Sequence, residues 1–203
     1  MSTRDTVVAG LIETARRELG TTQEFINKVK YNQSYYGQNV SGKNFKWCAV
    51  FLWWCMQKNK VPKEVFPKVA HVFTLREWYR DRNRYFKRSS TPLRGDLVIF
   101  SYSHIALVVK VTKTQIVTIE GNKSDAVRKL VHNRSESTID GYCRPAYHMV
   151  EVDDVTKEEL IEVLRSGFTP GDFTRVSEWA AQLNEVKRDV DQMQQKLDQL
   201  LSR

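Results

Sequence analysis

Trp47-Cys48-Ala49-Val50-Phe51-Leu52-Trp53-Trp54-Cys55 is the longest unbroken hydrophobic run in the chain, and it reads as a buried helix that opens on a cysteine. Upstream, Ser41-Gly42-Lys43-Asn44 is turn-forming and offers N-cap side chains. Downstream, Met56-Gln57-Lys58-Asn59-Lys60 turns polar and basic, and Pro62 ends any helix. Cys48 therefore belongs to the first turn, where unpaired backbone N–H groups and the positive end of the helix dipole stabilise a thiolate, the form a nucleophilic cysteine requires. Cys55 faces the same way one heptad on, roughly 10 Å further along the axis. That is too far for a disulfide and suits a packed core thiol.

The flanking sequence has to supply the walls around that helix. Val7, Val8, Leu11, Ile12, Ala15 and Leu19 fall at helical spacing, with Gly20 as a stop. Residues 21–46 lose the periodicity and read as a loop with exposed aromatic and amide side chains, among them Tyr31, Tyr35 and Tyr36. From Leu75 to Arg88 aromatics alternate with arginines, the pattern of an amphipathic helix with Leu75, Trp78, Tyr79 and Arg82 on one side. After residue 93 the period becomes that of strands: Leu97-Val98-Ile99-Phe100, Ile105-Ala106-Leu107-Val108-Val109 and Gln115-Ile116-Val117-Thr118-Ile119-Glu120. Their tight connections imply an antiparallel sheet, with Tyr142-Cys143-Arg144-Pro145 and Met149-Val150-Glu151-Val152 as further edges. The triplet Arg94-Gly95-Asp96 reads as the turn that starts a strand. Helices followed by strands make the fold class α+β.

The chain of 203 residues is 41% hydrophobic and 11% aromatic, enough for one substantial core and an appendage. Its net charge of +8 is unevenly spread: residues 1–150 hold 25 Lys and Arg against 12 Asp and Glu, whereas residues 151–203 hold 7 against 12. The basic part attracts polyanions, and nucleic acid, anionic lipid and anionic wall polymers all qualify on charge. No helix-turn-helix, zinc finger or phosphate loop supports nucleic acid. Three cysteines without C-x-x-C spacing exclude a disulfide framework and a structural zinc site. The amino terminus lacks a signal-peptide pattern and no run is long enough to span a bilayer, so the expectation is a protein made in the cytosol with no membrane insertion.

Toward the carboxyl end, Thr156-Lys157-Glu158-Glu159 has capping-box spacing before Leu160, Ile161, Val163 and Leu164, and residues 167–171 form a hinge. Val176, Trp179, Leu183, Val186, Val190, Met193, Leu197 and Leu200 then recur at spacings of three and four, a coiled-coil seam. Such a stripe is covered by self-association, so a homo-oligomer through residues 172–203 is expected.

A cysteine nucleophile needs a base, and the base needs an orienting partner. Of the four histidines, His71 has neither a turn nor a strand edge around it, and His132 and His148 sit in polar or late segments. His104 stands where a turn enters a very apolar strand, at the rim of a cleft. Glu120 and Asn122, two apart at a strand end, point to one face, and either is able to accept the imidazole N–H.

In order and approximate spacing, Trp47-Cys48-Ala49-Val50-Phe51, Gly95-Asp96-Leu97-Val98-Ile99-Phe100, Ser103-His104-Ile105-Ala106-Leu107-Val108 and Ile119-Glu120-Gly121-Asn122 resemble the CHAP family of cysteine, histidine-dependent amidohydrolases and peptidases. The resemblance implies a papain-like α+β domain over residues 1–150, with N-terminal helices and an antiparallel sheet, that cleaves an amide bond of bacterial peptidoglycan. A short helix and hinge (151–171) and a coiled-coil helix (172–203) follow. It assigns Cys48 as nucleophile, His104 as general base, Glu120 as the group orienting the imidazole and Asn122 as a neighbouring polar residue. Some family members bind calcium through aspartates ahead of the cysteine, but Glu24 is the only acid in residues 21–46, so no metal or other cofactor is expected. A phage endolysin-like or virion-associated enzyme fits the absence of a signal pattern. The rival reading is an inactive interaction protein assembled by its coiled coil.

Overall fold

Helices lead and strands follow in the computed structural model, which describes residues 3–150. The helices among them are α1 (Thr3–Arg17), α2 (Lys30–Tyr36), α3 (Cys48–Lys58) and α4 (Val72–Arg80). The strands are β1 (Tyr85–Lys87), β2 (Leu97–Phe100), β3 (His104–Val111), β4 (Gln115–Lys123), β5 (Ala126–Asn133) and β6 (Ile139–Cys143). They form one antiparallel sheet in the order β1-β6-β2-β3-β4-β5. The arrangement is α+β and is compatible with the CHAP-like expectation. The heptad stretch and hinge lie outside the described residues.

One face of the sheet packs against α1 and α3. Val7, Val8, Leu11, Ile12 and Ala15 of α1 and Phe51, Leu52, Cys55 and Met56 of α3 meet Leu97, Ile99, Ile105, Leu107 and Ile119 from the sheet. The opposite face carries Val98, Phe100, Ala106, Val108, Ile116 and Tyr142. Strand β2 is buried on both faces, which is why it reads as a continuous apolar run rather than an alternating one.

Several elements depart from the sequence reading. The loop expected over residues 21–46 contains α2, a two-turn helix whose Tyr31 and Asn32 are buried. Tyr31 packs its ring against Trp47, Phe51 and Trp54 at centroid distances of 5.4, 5.0 and 5.2 Å, so burial of one aromatic overrides the lack of periodicity. Leu19 lies past the end of α1 and is 38% exposed. The Leu75–Arg88 stretch divides: α4 ends at Arg80, and Tyr85–Lys87 forms the edge strand β1. Met149 belongs to a short 3-10 turn, Tyr147–Met149, not to a strand. Strand β5 was not anticipated, because its outer residues Arg128 and Lys129 hide the alternation.

Two close approaches fix the geometry. Gly95, at φ +91, sits on the turn into β2 with Val8 of α1 directly over it. The next residue, Asp96, is fully buried and accepts both Nε and Nη2 of Arg144, at 3.0 and 2.9 Å, together with the Leu93 N–H at 2.7 Å. The Gly-Asp pair is thus structural, tying α1, β2 and the segment after β6 together. At Gly121, a Cβ would lie 2.5 Å from Cβ of Phe51, so α3 lies on β4 at a distance that only glycine permits. Gly121→Ala is expected to push α3 off the sheet and destabilise the protein by about 1–3 kcal/mol, read as a lower urea midpoint.

Candidate active site

The first residue of α3 is Cys48, and the residue before it, Trp47, is the N-cap, with φ −120 and ψ 18 and no side-chain cap. This corrects the expectation that Ser41–Asn44 would cap the helix. Trp47 cannot cap because an indole has no acceptor to offer a backbone N–H; its ring is buried, with Nε1 donating to Oε1 of Gln23 at 3.2 Å. The consequence is an α3 amino terminus whose first N–H groups meet no side-chain acceptor beside the Cys48 thiol.

A three-residue turn from β2, with Ser103 in the left-handed region at φ +60, delivers His104 as the first residue of β3, opposite Phe100. Its Nε2 donates to Oε2 of Glu120 at 2.8 Å. That commitment leaves Nδ1 for Cys48, with which the ring interacts. Cys48 is 5% exposed and His104 7%, and both open onto a cleft of about 580 Å³ whose wall also includes Tyr102 and Asn122. Tyr102 stacks on the imidazole at 5.8 Å with an interplanar angle of 14°.

Behind His104, Glu120 has no solvent exposure at all. Its Oε1 accepts from the Thr118 hydroxyl at 2.6 Å and from Nε2 of His132 at 2.7 Å. Burial raises the Glu120 carboxyl, but hydrogen bonds from His104, His132 and Thr118 outweigh it and bring the group down to about 2. Burial likewise opposes the charged form of His104, while its contacts with Cys48 and Glu120 push it up to about 9. His132 is raised by its hydrogen bond to Glu120 against a smaller desolvation effect, and its Nδ1 lies 3.3 Å from Oε2 of Glu136. A ring with a carboxylate at each nitrogen is stabilised as the doubly protonated cation.

Of the residues singled out from the sequence, Cys48, His104 and Glu120 come together. Asn122 lines the same cleft, but its Nδ2 faces Oδ1 of Asn27 at 3.4 Å and not the imidazole. Its φ of +57 and the register shift between Glu120 and Lys123 break the simple alternation that would have put it beside Glu120. Sequence reasoning passed over His132, Thr118 and Asn27. Only the spacing of His132 from Glu136 hinted at a pair, and without β5 it had no face. His71 is the N-cap of α4, accepting the Thr74 N–H at 3.3 Å, a turn the sequence reading did not give it. Among the described residues, no three His, Cys, Asp or Glu side chains converge as metal ligands, and no helix is long and apolar enough to cross a membrane.

Residues 40–122 match the sequence profile of the CHAP domain, from just ahead of α3 to the end of the Glu120–Asn122 segment. The chain carries a CHAP domain. No curated protein matches it. CHAP domains are typically hydrolases of the amidase or peptidase type, with peptidoglycan as substrate.

The buried CHAP cluster makes stability depend on pH in a defined way. Glu120, at about 2 in the fold against an ordinary 4.5, stabilises above pH 4.5 and loses that contribution as pH falls through about 2. His104, at about 9 against 6.5, stabilises below pH 6.5 and loses its contribution as pH rises through about 9. The stability gap between wild type and Glu120→Gln is therefore expected to be widest between pH 4.5 and 6.5 and to shrink on both sides, as read by urea unfolding across that range.

Proposed function

We propose that this CHAP domain hydrolyses an amide bond of peptidoglycan through a papain-like thiol mechanism in which Cys48 is the nucleophile, His104 the acid and base, and Glu120 the group that holds the imidazole. The observation that carries the reading is the convergence of three side chains from α3, β3 and β4, Cys48 and His104 opening on one cleft and His104 bonded behind it to the fully buried carboxylate of Glu120. Asn122, on the cleft wall, borders the reacting centre.

In this mechanism His104 takes the proton that the Cys48 thiol gives up as it attacks, which agrees with an imidazolium favoured up to about pH 9. Sγ attacks the amide carbonyl carbon, forming a C–S bond, and the developing oxyanion lies at the uncapped first turn of α3, where backbone N–H groups and the helix dipole stabilise negative charge. The tetrahedral intermediate collapses with cleavage of the C–N bond as His104 gives its proton to the departing amine. Water then attacks the thioester with His104 taking one proton. The C–S bond breaks, and the proton on His104 returns to sulfur. Glu120, kept ionised by three donors, fixes the ring so that Nδ1 stays on the reacting side through both halves.

The bond cut is either the link between muramic acid and the stem peptide or a cross-bridge amide, in the manner of a phage endolysin. Residues 172–203, by their heptads, join several basic catalytic units and raise their effective concentration on a polymeric wall. Light scattering of the full chain is expected to return a multiple of the 23.7 kDa chain mass; a clean monomer at micromolar concentration removes the oligomer from the proposal.

Cys48→Ala and His104→Ala are each expected to lower clearing of Gram-positive cell walls by at least about 100-fold with unchanged circular dichroism. Cys55→Ala, a change in the core, retains activity. Full activity in purified Cys48→Ala would end the thiol mechanism, and mass spectrometry of the released fragments identifies the bond.

A further inference from the structure

Two grooves meet at Cys48. The wider one, about 580 Å³, runs past His104, Tyr102 and Asn122; the narrower, about 300 Å³, runs past Ala70, His71 and Val72. Lys43 and Lys46 line both, as does the thiol. Neither ammonium has an ion-pair partner among the described residues. The third lysine of the wider groove, Lys123, lies over the Tyr102 ring at 5.3 Å with its Nζ 3.4 Å from the hydroxyl. Among the described residues, the narrower groove has no acidic lining and the wider one has Asp125 alone.

These two lysines project from a segment that the fold holds in place. The Gly42 N–H donates to the Ile26 carbonyl at 2.7 Å, and the Gly42 carbonyl accepts Nδ2 of Asn27 at 3.0 Å. The Phe45 carbonyl accepts Nδ2 of the fully buried Asn32 at 2.7 Å. Asn27 is itself tied by its backbone N–H to Gln23, whose Oε1 also receives Trp47. The backbone on each side of Lys43, and up to Lys46, is thereby anchored to the same residues that set the start of α3.

From this geometry we infer that Lys43 and Lys46 form a carboxylate-binding subsite that selects peptides bearing a free carboxylate close to the scissile amide. The inference rests on the amide-hydrolase reading of Cys48 and deepens it. A ligand of this cleft has to bring an amide carbon to Sγ, so the anion the lysines meet belongs to the peptide itself, which makes it a carboxylate and not the phosphate of a neighbouring polymer. Two unpaired cations on a mouth with little opposing charge attract such a group, more strongly at low salt. The carboxylate comes from an acidic residue linked through its side chain, which leaves its main-chain carboxylate free, or from the peptide's carboxyl terminus.

Two measurements on the full-length protein test this. In the first, Cys48 is alkylated with iodoacetate and with iodoacetamide, reagents that differ in charge. The rate ratio of anionic to neutral reagent is expected to fall on the order of fivefold in the Lys43→Met, Lys46→Met double variant, two exposed charge contacts being lost, and to fall likewise in wild type at high salt. In the second, kcat/KM is compared for synthetic stem peptides with all carboxylates free, with the internal carboxylate amidated, and with the terminal carboxylate amidated. Wild type is expected to prefer the free form over one of the two amides, which names the carboxylate, and the double variant to lose that preference. An unchanged alkylation ratio, or a preference that survives in the double variant, overturns the subsite. Failure to cleave any of the peptides, with the alkylation ratio still falling, overturns the peptidoglycan reading and leaves the anion subsite standing.

Discussion

The contact between Phe51 and Gly121 is the constraint on which the domain turns. Phe51 is one helical turn beyond Cys48, and Gly121 directly follows Glu120, so the distance between α3 and β4 at this point is also the distance between the helix of Cys48 and the strand of Glu120. A helix held this close by the absence of a single Cβ brings its first turn level with the start of β3, where the turn after β2 has set His104. The clasp of Tyr31 on Trp47, Phe51 and Trp54 holds the helix from its other side. Packing density, more than any polar bond, sets where the thiol meets the imidazole.

Two carboxylates among the described residues, Asp96 and Glu120, are fully buried, and their partners give them different behaviour. Asp96 is met by the Arg144 guanidinium, which keeps its charge at any ordinary pH, and it works as a rivet between the turn into β2 and the chain after β6. Glu120 is met by a hydroxyl and by two imidazoles, and the imidazoles are groups that gain and lose protons. The first arrangement favours permanence. The second keeps a charge ionised in the interior while leaving its neighbour free to give up and regain a proton.

How far the sequence could be read depends on how each element buries its side chains. Strands β2, β3 and β4 and helices α1 and α3 were visible because their apolar residues recur with one period or run without a break. Helix α2 was not, since a few buried side chains hold it and its remaining face is polar. Strands β1 and β5 are the sheet's two edges and carry Lys87, Arg128 and Lys129 outward, which protects edges from pairing but erases the alternation. The same limit applies at the candidate site. Cys48, His104 and Glu120 lie on elements with strong patterns, while His132 and Asn27 lie on elements without one, and Asn122 lies on a bulged strand end where counting by twos fails.

The three thiols of this chain are all free, and their depths differ in a useful way. Cys55 and Cys143 have no solvent contact, and burial pushes both thiols well above the ordinary range, whereas Cys48 reaches the cleft. The folded protein therefore presents one thiol to oxidants, and among the cysteines hydrogen peroxide consumes that one first. Thiol oxidation in such a molecule begins at the cleft and leaves Cys55 and Cys143 reduced. A quantitative thiol count consequently distinguishes a protein that has been inactivated from one that has come apart.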